Sequence, residues 1–140
     1  MQLATQIFAA YALVILMTLV HAIGVVLTTR LLKLEDESLR AHRLDLGAFT
    51  LLTSMALFLF ALHTLEIGLF ALFYLGVGAI GDLEQALYFS TSAYATLGHP
   101  DIAFPEHWRL VGAVEGLAGF LLIGWSTAVF VTDMNKLLRK

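Results

Sequence analysis

The chain has no cysteine and only two prolines, and 14% of its 140 residues are charged, against about 25% in an average soluble domain. Without cysteine there are no disulfides, thiolate zinc sites, cysteine-ligated iron–sulfur clusters or thiol nucleophiles. Positive charge is scarce as well. Eight Lys+Arg against 11 Asp+Glu give a formal charge of -3, so there is no basic surface to neutralise a phosphate backbone, and nucleic acid is not an expected partner. No nucleophile–base pair or glycine-rich phosphate loop points to an enzyme, a small-molecule substrate or a resident cofactor.

What fills the chain instead is apolar: hydrophobic residues make up 59% and mean hydropathy is +0.85. A bilayer core of about 30 Å takes about 20 apolar residues in a helix, and three runs are long enough. They are Ile7 to Leu27, Phe49 to Val77 and Leu110 to Val131. No Lys or Arg precedes the first run, which exceeds the roughly 7–15 residues of a signal-peptide core, so it reads as a retained helix. Membrane lipid is therefore an expected partner.

Orientation follows from Lys and Arg in the short connections. Arg30, Lys33, Arg40 and Arg43 fall in the linker 29–48, and Lys136, Arg139 and Lys140 follow the third run, whereas Met1 to Gln6 has none and Gly78 to Arg109 has only Arg109. The linker 29–48 and the C-terminus are thus expected in the cytoplasm and the N-terminus outside. Leucines interleaved with the linker charges indicate a helix that either extends from the membrane or lies on it.

Between the second and third runs, Asp82 and Gln85 make a helix-start signature. A helix is expected from Leu83 for three to four turns, with Gly98 and Pro100 stopping it. At about 20 Å it is too short to cross. It is either an interfacial helix or a re-entrant loop. Non-helical backbone at membrane depth must be buried in protein or line a water-filled path. The carbonyl-rich C-terminal end near Thr96 would then face inward and favour a cation.

Here the residues carry a resemblance. Tyr88 to Asp101, reading YFSTSAYATLGHPD, resembles the pore helix and filter of potassium channels, whose loops carry T-V-G-Y-G-D or close variants. Trp108 to Ala128 resembles the inner helix, and His63 to Tyr74 the outer helix, of small bacterial proteins grouped with the two-transmembrane and two-pore-domain potassium channels. The resemblance implies an all-α membrane protein: three transmembrane helices (7–27, 49–77, 110–131), a re-entrant pore helix and filter at 82–101, and four copies around one pore in a bacterial inner membrane. Only one filter-like segment occurs in the sequence, so a central pore needs several chains.

By the same resemblance, Thr96, Leu97 and Gly98 match the filter's threonine, valine and first glycine, and Asp101 its aspartate. His99 stands at the tyrosine and Pro100 at the second glycine. Proline holds φ near −65° and lacks an N–H, where glycine tolerates positive φ, so the outer carbonyl sites are not expected to form as in the family. The expected function is a monovalent cation channel, passing K+ or Na+ with altered selectivity. A non-conducting channel-like structural or regulatory subunit is the alternative, and a membrane metal-binding protein using the histidines is a third reading. His99 reads either as an imidazole ring at the pore mouth or as a packed, hydrogen-bonded side chain.

Four ionisable residues fall in or beside the apolar runs: His21, His63, Glu66 and Glu115. Glu66 or Glu115 is expected to brace the filter loop from behind by accepting hydrogen bonds from that loop, from Arg109 or from Ser90, Thr91 and Ser92, with His63, Thr91 and Tyr94 as further supports. Counting at 1.5 Å per residue puts Glu66 about 25 Å above Phe49 and His21 roughly 9 Å above Leu27, which argues against one metal cluster of His21, His63 and Glu66. No metal site is expected. Gly116, Gly119 and Gly124 on the third run are candidate gating hinges, with close helix packing as the other reading.

Overall fold

The computed structural model describes residues 3–39, 46–98 and 106–138, with side chains described over 3–31, 46–98 and 106–135. Its helices are α1 (Leu3–Leu39), α2 (Leu46–Gly76), α3 (Leu83–Tyr94) and α4 (Arg109–Leu138), the last entered through a 3-10 turn at Glu106–Trp108. The described residues form helices and connecting turns with no strand. Three of the helices are long and apolar enough to cross a membrane.

Each long helix is apolar nearly all round, so what marks its inward face is a narrow stripe at helical spacing. On α2 the stripe is Leu51, Met55, Leu59, Leu62, Glu66, Phe70 and Tyr74, all buried. On α1 it passes through Ala10, Met17, His21, Val25 and Thr28, and on α4 through Val111, Glu115, Ala118, Leu122 and Ser126. The remaining faces carry exposed apolar side chains such as Phe8, Ile23, Phe60 and Phe120, as expected where lipid or another chain provides the cover.

α1 does not stop at Leu27. It runs unbroken to Leu39, so the first part of the 29–48 linker extends the spanning helix. Arg40, Arg43 and the rest of 40–45 lie outside the described residues. α1 packs against both α2 and α4, and its Gln6 side chain accepts from the Leu110 backbone N–H at the opposite end from the linker.

α2 ends in a hydrogen-bonded turn, with Gly78 at φ +67 and the Ala79 N–H donating to the Tyr74 carbonyl at 2.9 Å. The chain then reverses into α3. Asp82 caps it in extended conformation, its carboxylate accepting from Gln85 N–H at 3.0 Å. Twelve residues long, α3 spans about 18 Å and packs into the angle between α2 and α4. Tyr74 and Phe89 meet edge to face at 5.2 Å, and Phe73 and Trp108 do the same at 5.2 Å. These pairs join the C-terminal end of α2 to α3 and to the N-terminal entry of α4.

Candidate functional site

The buried face of α3 is Ala86, Phe89, Ser90, Ala93 and Tyr94, the i, i+3, i+4 pattern of a helix packed on one side. Ser90 and Tyr94 on this face are one turn apart and each meets a carboxylate, while Ser92 is also buried. The Ser90 hydroxyl donates to Glu115 Oε1 at 2.5 Å and has the Ile67 carbonyl at 2.9 Å as a second acceptor. Tyr74 donates to the other oxygen of Glu115 at 2.6 Å. Glu115 on α4 thereby holds both α3 and α2, and it is fully buried. A carboxylate in an apolar span is costly unless its oxygens are satisfied, and here both are.

Deeper along α3, the Tyr94 hydroxyl donates to Glu66 Oε2. His63 Nδ1 lies 3.1 Å from the same oxygen and 2.9 Å from the Tyr94 hydroxyl. His21 of α1 completes the group, its Nδ1 2.9 Å from Glu66 Oε1 and its Nε2 3.2 Å from Ser126 Oγ on α4. Its ring also lies against Trp125, with centroids 5.2 Å apart. No buried side-chain polar atom among the described residues lacks a partner.

Residues of all four helices thus meet around Glu66, which corrects the height argument that kept His21 apart from His63 and Glu66. That count took Leu27 as the inner end of α1. Because α1 continues to Leu39, His21 sits about 27 Å from the C-terminal end of α1 and Glu66 about 30 Å from the start of α2, which brings them level. The ligand atoms of His21, His63 and Glu66 all fall within 4.8 Å of one another.

At its C-terminal end α3 stops at Tyr94, two residues before the expected end at Thr96. The Thr96 N–H donates to the Ala93 carbonyl at 3.0 Å and the Leu97 N–H to the Ser92 carbonyl at 2.9 Å. This is the Schellman arrangement, in which the residue after the cap takes left-handed geometry. That residue is Thr96 at φ 58, followed by Gly98 at φ 98. Glycine usually fills such a position; a β-branched residue there is strained by about 1–2 kcal/mol. Thr96, Leu97 and Gly98 are exposed, and Ala95 and Thr96 form with Phe120, Leu121, Ile123 and Gly124 of α4 an open groove of about 470 Å³. His99, Pro100 and Asp101 lie outside the described residues.

Three expected donors, Thr91, Ser92 and Arg109, are not brought to the carboxylates; Ser92 is buried on α3 but bonds neither of them. Thr91 is exposed, and its hydroxyl turns back to the Leu87 carbonyl of its own helix at 2.7 Å, because position 91 falls on the face of α3 away from α2 and α4. Arg109 pairs with Glu106 at 3.5 Å, both side chains exposed at the N-terminal end of α4.

The glycines of α4 divide into two kinds. A Cβ at Gly116 would come 3.0 Å from the Ala93 carbonyl oxygen, and one at Gly119 would overlap the Tyr94 carbonyl and lie 2.8 Å from its ring. These two glycines let α4 approach the end of α3, and α4 runs helical through both. At Gly124 nothing lies within 4 Å of such a Cβ.

Sequence reasoning named Glu66, Glu115, His63 and Tyr94 but missed Tyr74 and Ser126. Both were detectable by periodicity. Tyr74 follows Glu66 by two turns on one face of α2, and Ser126 follows Glu115 by three turns on one face of α4.

No curated protein and no solved structure matches the chain. A family model described as ion channel matches residues 60–136, from the middle of α2 through α3 to near the end of α4. The match covers more than half of the chain and includes Glu66, Glu115, the whole of α3 and the left-handed turn after it, so this is an integral membrane protein that belongs to an ion channel family.

Proposed function

We propose that the protein is a pore-loop cation channel in which four copies surround one pathway for monovalent cations, K+ or Na+. The observation that carries this reading is α3: a twelve-residue helix, too short to cross, set between two spanning helices and ending in a turn through Thr96 and Gly98. Thr96 to Asp101 would line the pathway through their carbonyls and the Thr96 hydroxyl, as the resemblance to potassium-channel filters implies. One chain offers only one such segment. The exposed groove between Ala95, Thr96 and α4 is a face for neighbouring copies and for the pathway below the filter.

In this reading Glu66 and Glu115, with His63, Tyr94 and Ser90, hold the pore helix at a fixed angle. Gly116 and Gly119 seat α4 against it. Gly124, with open space around it, is the position at which α4 can bend without unseating the filter. The N-terminus lies outside and the C-terminus in the cytoplasm, by the distribution of Lys and Arg, with a bacterial plasma membrane as the site. No catalytic step is assigned to any residue.

His99 and Pro100 are expected to lower or alter potassium preference. Pro100 also favours a second reading, a channel scaffold that does not conduct. The test is cation flux into proteoliposomes under potassium and sodium gradients, for the native chain and a His99→Tyr, Pro100→Gly double variant. Native flux, with a higher K+/Na+ ratio in the double variant, is expected. A silent native chain beside a conducting double variant would move the assignment to the second reading, and silence in both would overturn the channel.

A further inference from the structure

A buried carboxylate in this fold does not need imidazoles. Glu115 is as deeply buried as Glu66, and two hydroxyls satisfy it. Glu66 has the Tyr94 hydroxyl and, in addition, two histidines from different helices whose Nδ1 atoms converge on its two oxygens at 2.9 and 3.1 Å. Among the described residues this is the group of histidine and carboxylate side chains whose ligand atoms converge.

We propose that His21, His63 and Glu66 form a binding site for a divalent transition-metal ion of the zinc class. The donor set is two neutral imidazole nitrogens and one carboxylate oxygen, a combination that zinc takes in three-ligand sites with a fourth position left over. Ligands around a tetrahedral ion at about 2.0–2.1 Å lie roughly 3.3–3.4 Å from one another. His21 Nδ1 lies 2.9 Å from Oε1 and His63 Nδ1 3.1 Å from Oε2 of Glu66, and one ligand atom from each of the three residues falls within 4.8 Å of the others, so rotations of the rings and the carboxylate would bring them to an ion. The Tyr94 hydroxyl lies beside the group, 2.9 Å from His63 Nδ1 and hydrogen-bonded to Glu66 Oε2. Hard cations such as Mg2+ and Ca2+ prefer all-oxygen sets, and soft Cu(I) prefers sulfur, which leaves the borderline divalent ions.

The surroundings match what a metal-bound histidine has. His21 uses its remaining nitrogen, Nε2, on Ser126 Oγ at 3.2 Å, which fixes the ring and leaves Nδ1 aimed at the site. Access is from the His63 side, where the side chain is 17% exposed while His21 and Glu66 are at 0%. Such an ion would tie α1 to α2 and, through Tyr94, to the pore helix. The inference does not depend on whether the pore conducts.

The test uses the purified full chain in detergent, stripped with a chelator and titrated with Co2+ alone as a spectroscopic probe, then with Zn2+ as competitor. One tightly held Co2+ per chain, with the intense visible bands of a four-coordinate ion and displacement by Zn2+, is expected. His21→Gln and His63→Gln should each weaken binding by more than the roughly 10–100-fold that loss of an outer hydrogen-bonding partner costs, and Ser126→Ala by about that amount. His63→Gln is the safer variant for folding because its side chain is partly exposed, and gel filtration checks it. A variant with His42, His99 and His107 all changed to Ala should keep the site. Absence of a four-coordinate Co2+ spectrum in the native chain, unchanged affinity in folded His63→Gln, or loss of the site in the triple variant would each overturn the proposal.

Discussion

Glu66 and Glu115 are both fully buried, both face α3, and each accepts a hydroxyl hydrogen bond from it, one turn apart. What surrounds them differs. Glu115 is completed by Tyr74, so its bonds stay among α2, α3 and α4. Glu66 is completed by His63 and by His21, and His21 lies on the N-terminal helix, outside the segment 60–136 that matches the ion channel family. The turn of α3 at Ser90 is thus held by elements within the family segment, and the turn at Tyr94 is also held by α1. α1 is therefore not a passive addition but a partner in the contact next to the left-handed turn at Thr96.

The largest effect is expected where the two carboxylate sites share a backbone. Gly119→Ala places a Cβ against the Tyr94 carbonyl and ring, and backbone cannot give way as a flexible side chain does. Loss of assembled protein, or destabilisation of about 3 kcal/mol, is the expected result in thermal unfolding followed by size exclusion. Normal stability would mean that α3 is not seated against α4 as described.

Next come the carboxylates. Removing Glu115 with Ala takes the acceptor from Tyr74, while Ser90 retains the Ile67 carbonyl; removing Glu66 takes the acceptor from His21, while Tyr94 retains His63 Nδ1. Each should cost about 1–3 kcal/mol for the buried hydrogen bonds lost. The comparison is sharpened by deleting Met1 to Arg30 in combination with each variant. Loss of α1 should be largely non-additive with Glu66→Ala, because both break the same contact, and additive with Glu115→Ala. Additivity in both would remove the distinction between the two sites.

A smaller, opposite effect is expected at Thr96. Thr96→Gly relieves left-handed geometry and should raise stability by about 1 kcal/mol, while removing a hydroxyl from the proposed pathway and lowering the K+/Na+ flux ratio. Smallest of all is Thr91→Val, whose exposed hydroxyl bonds only its own helix; stability should stay within about 0.5 kcal/mol. A large loss there in the assembled protein would show that the outer face of α3 is covered by a neighbour that uses this hydroxyl.

Much of this arrangement is legible from residue pattern. The Asp82 cap, the start of α3 at Leu83 and the three spans follow from local rules of capping and apolar run length. The buried carboxylates are legible because charge is rare in an apolar helix. The meeting of His21 with Glu66 is not, since it depends on the level at which two separate helices pack. The leucine-rich, charged stretch to Leu39 hides that level by prolonging α1 past its apolar run. The early end of α3 is similarly hidden, because Thr96 is a poor candidate for left-handed backbone on propensity alone.

The central claim is that these two buried carboxylates hold a short helix whose end shapes a cation pathway. It is tested most directly by K+ and Na+ flux into proteoliposomes carrying equal amounts of the native chain, Glu66→Gln and Glu115→Gln, each checked for assembly. The account predicts native flux and a changed K+/Na+ ratio in both variants. Native flux with an identical ratio in both assembled variants would contradict it.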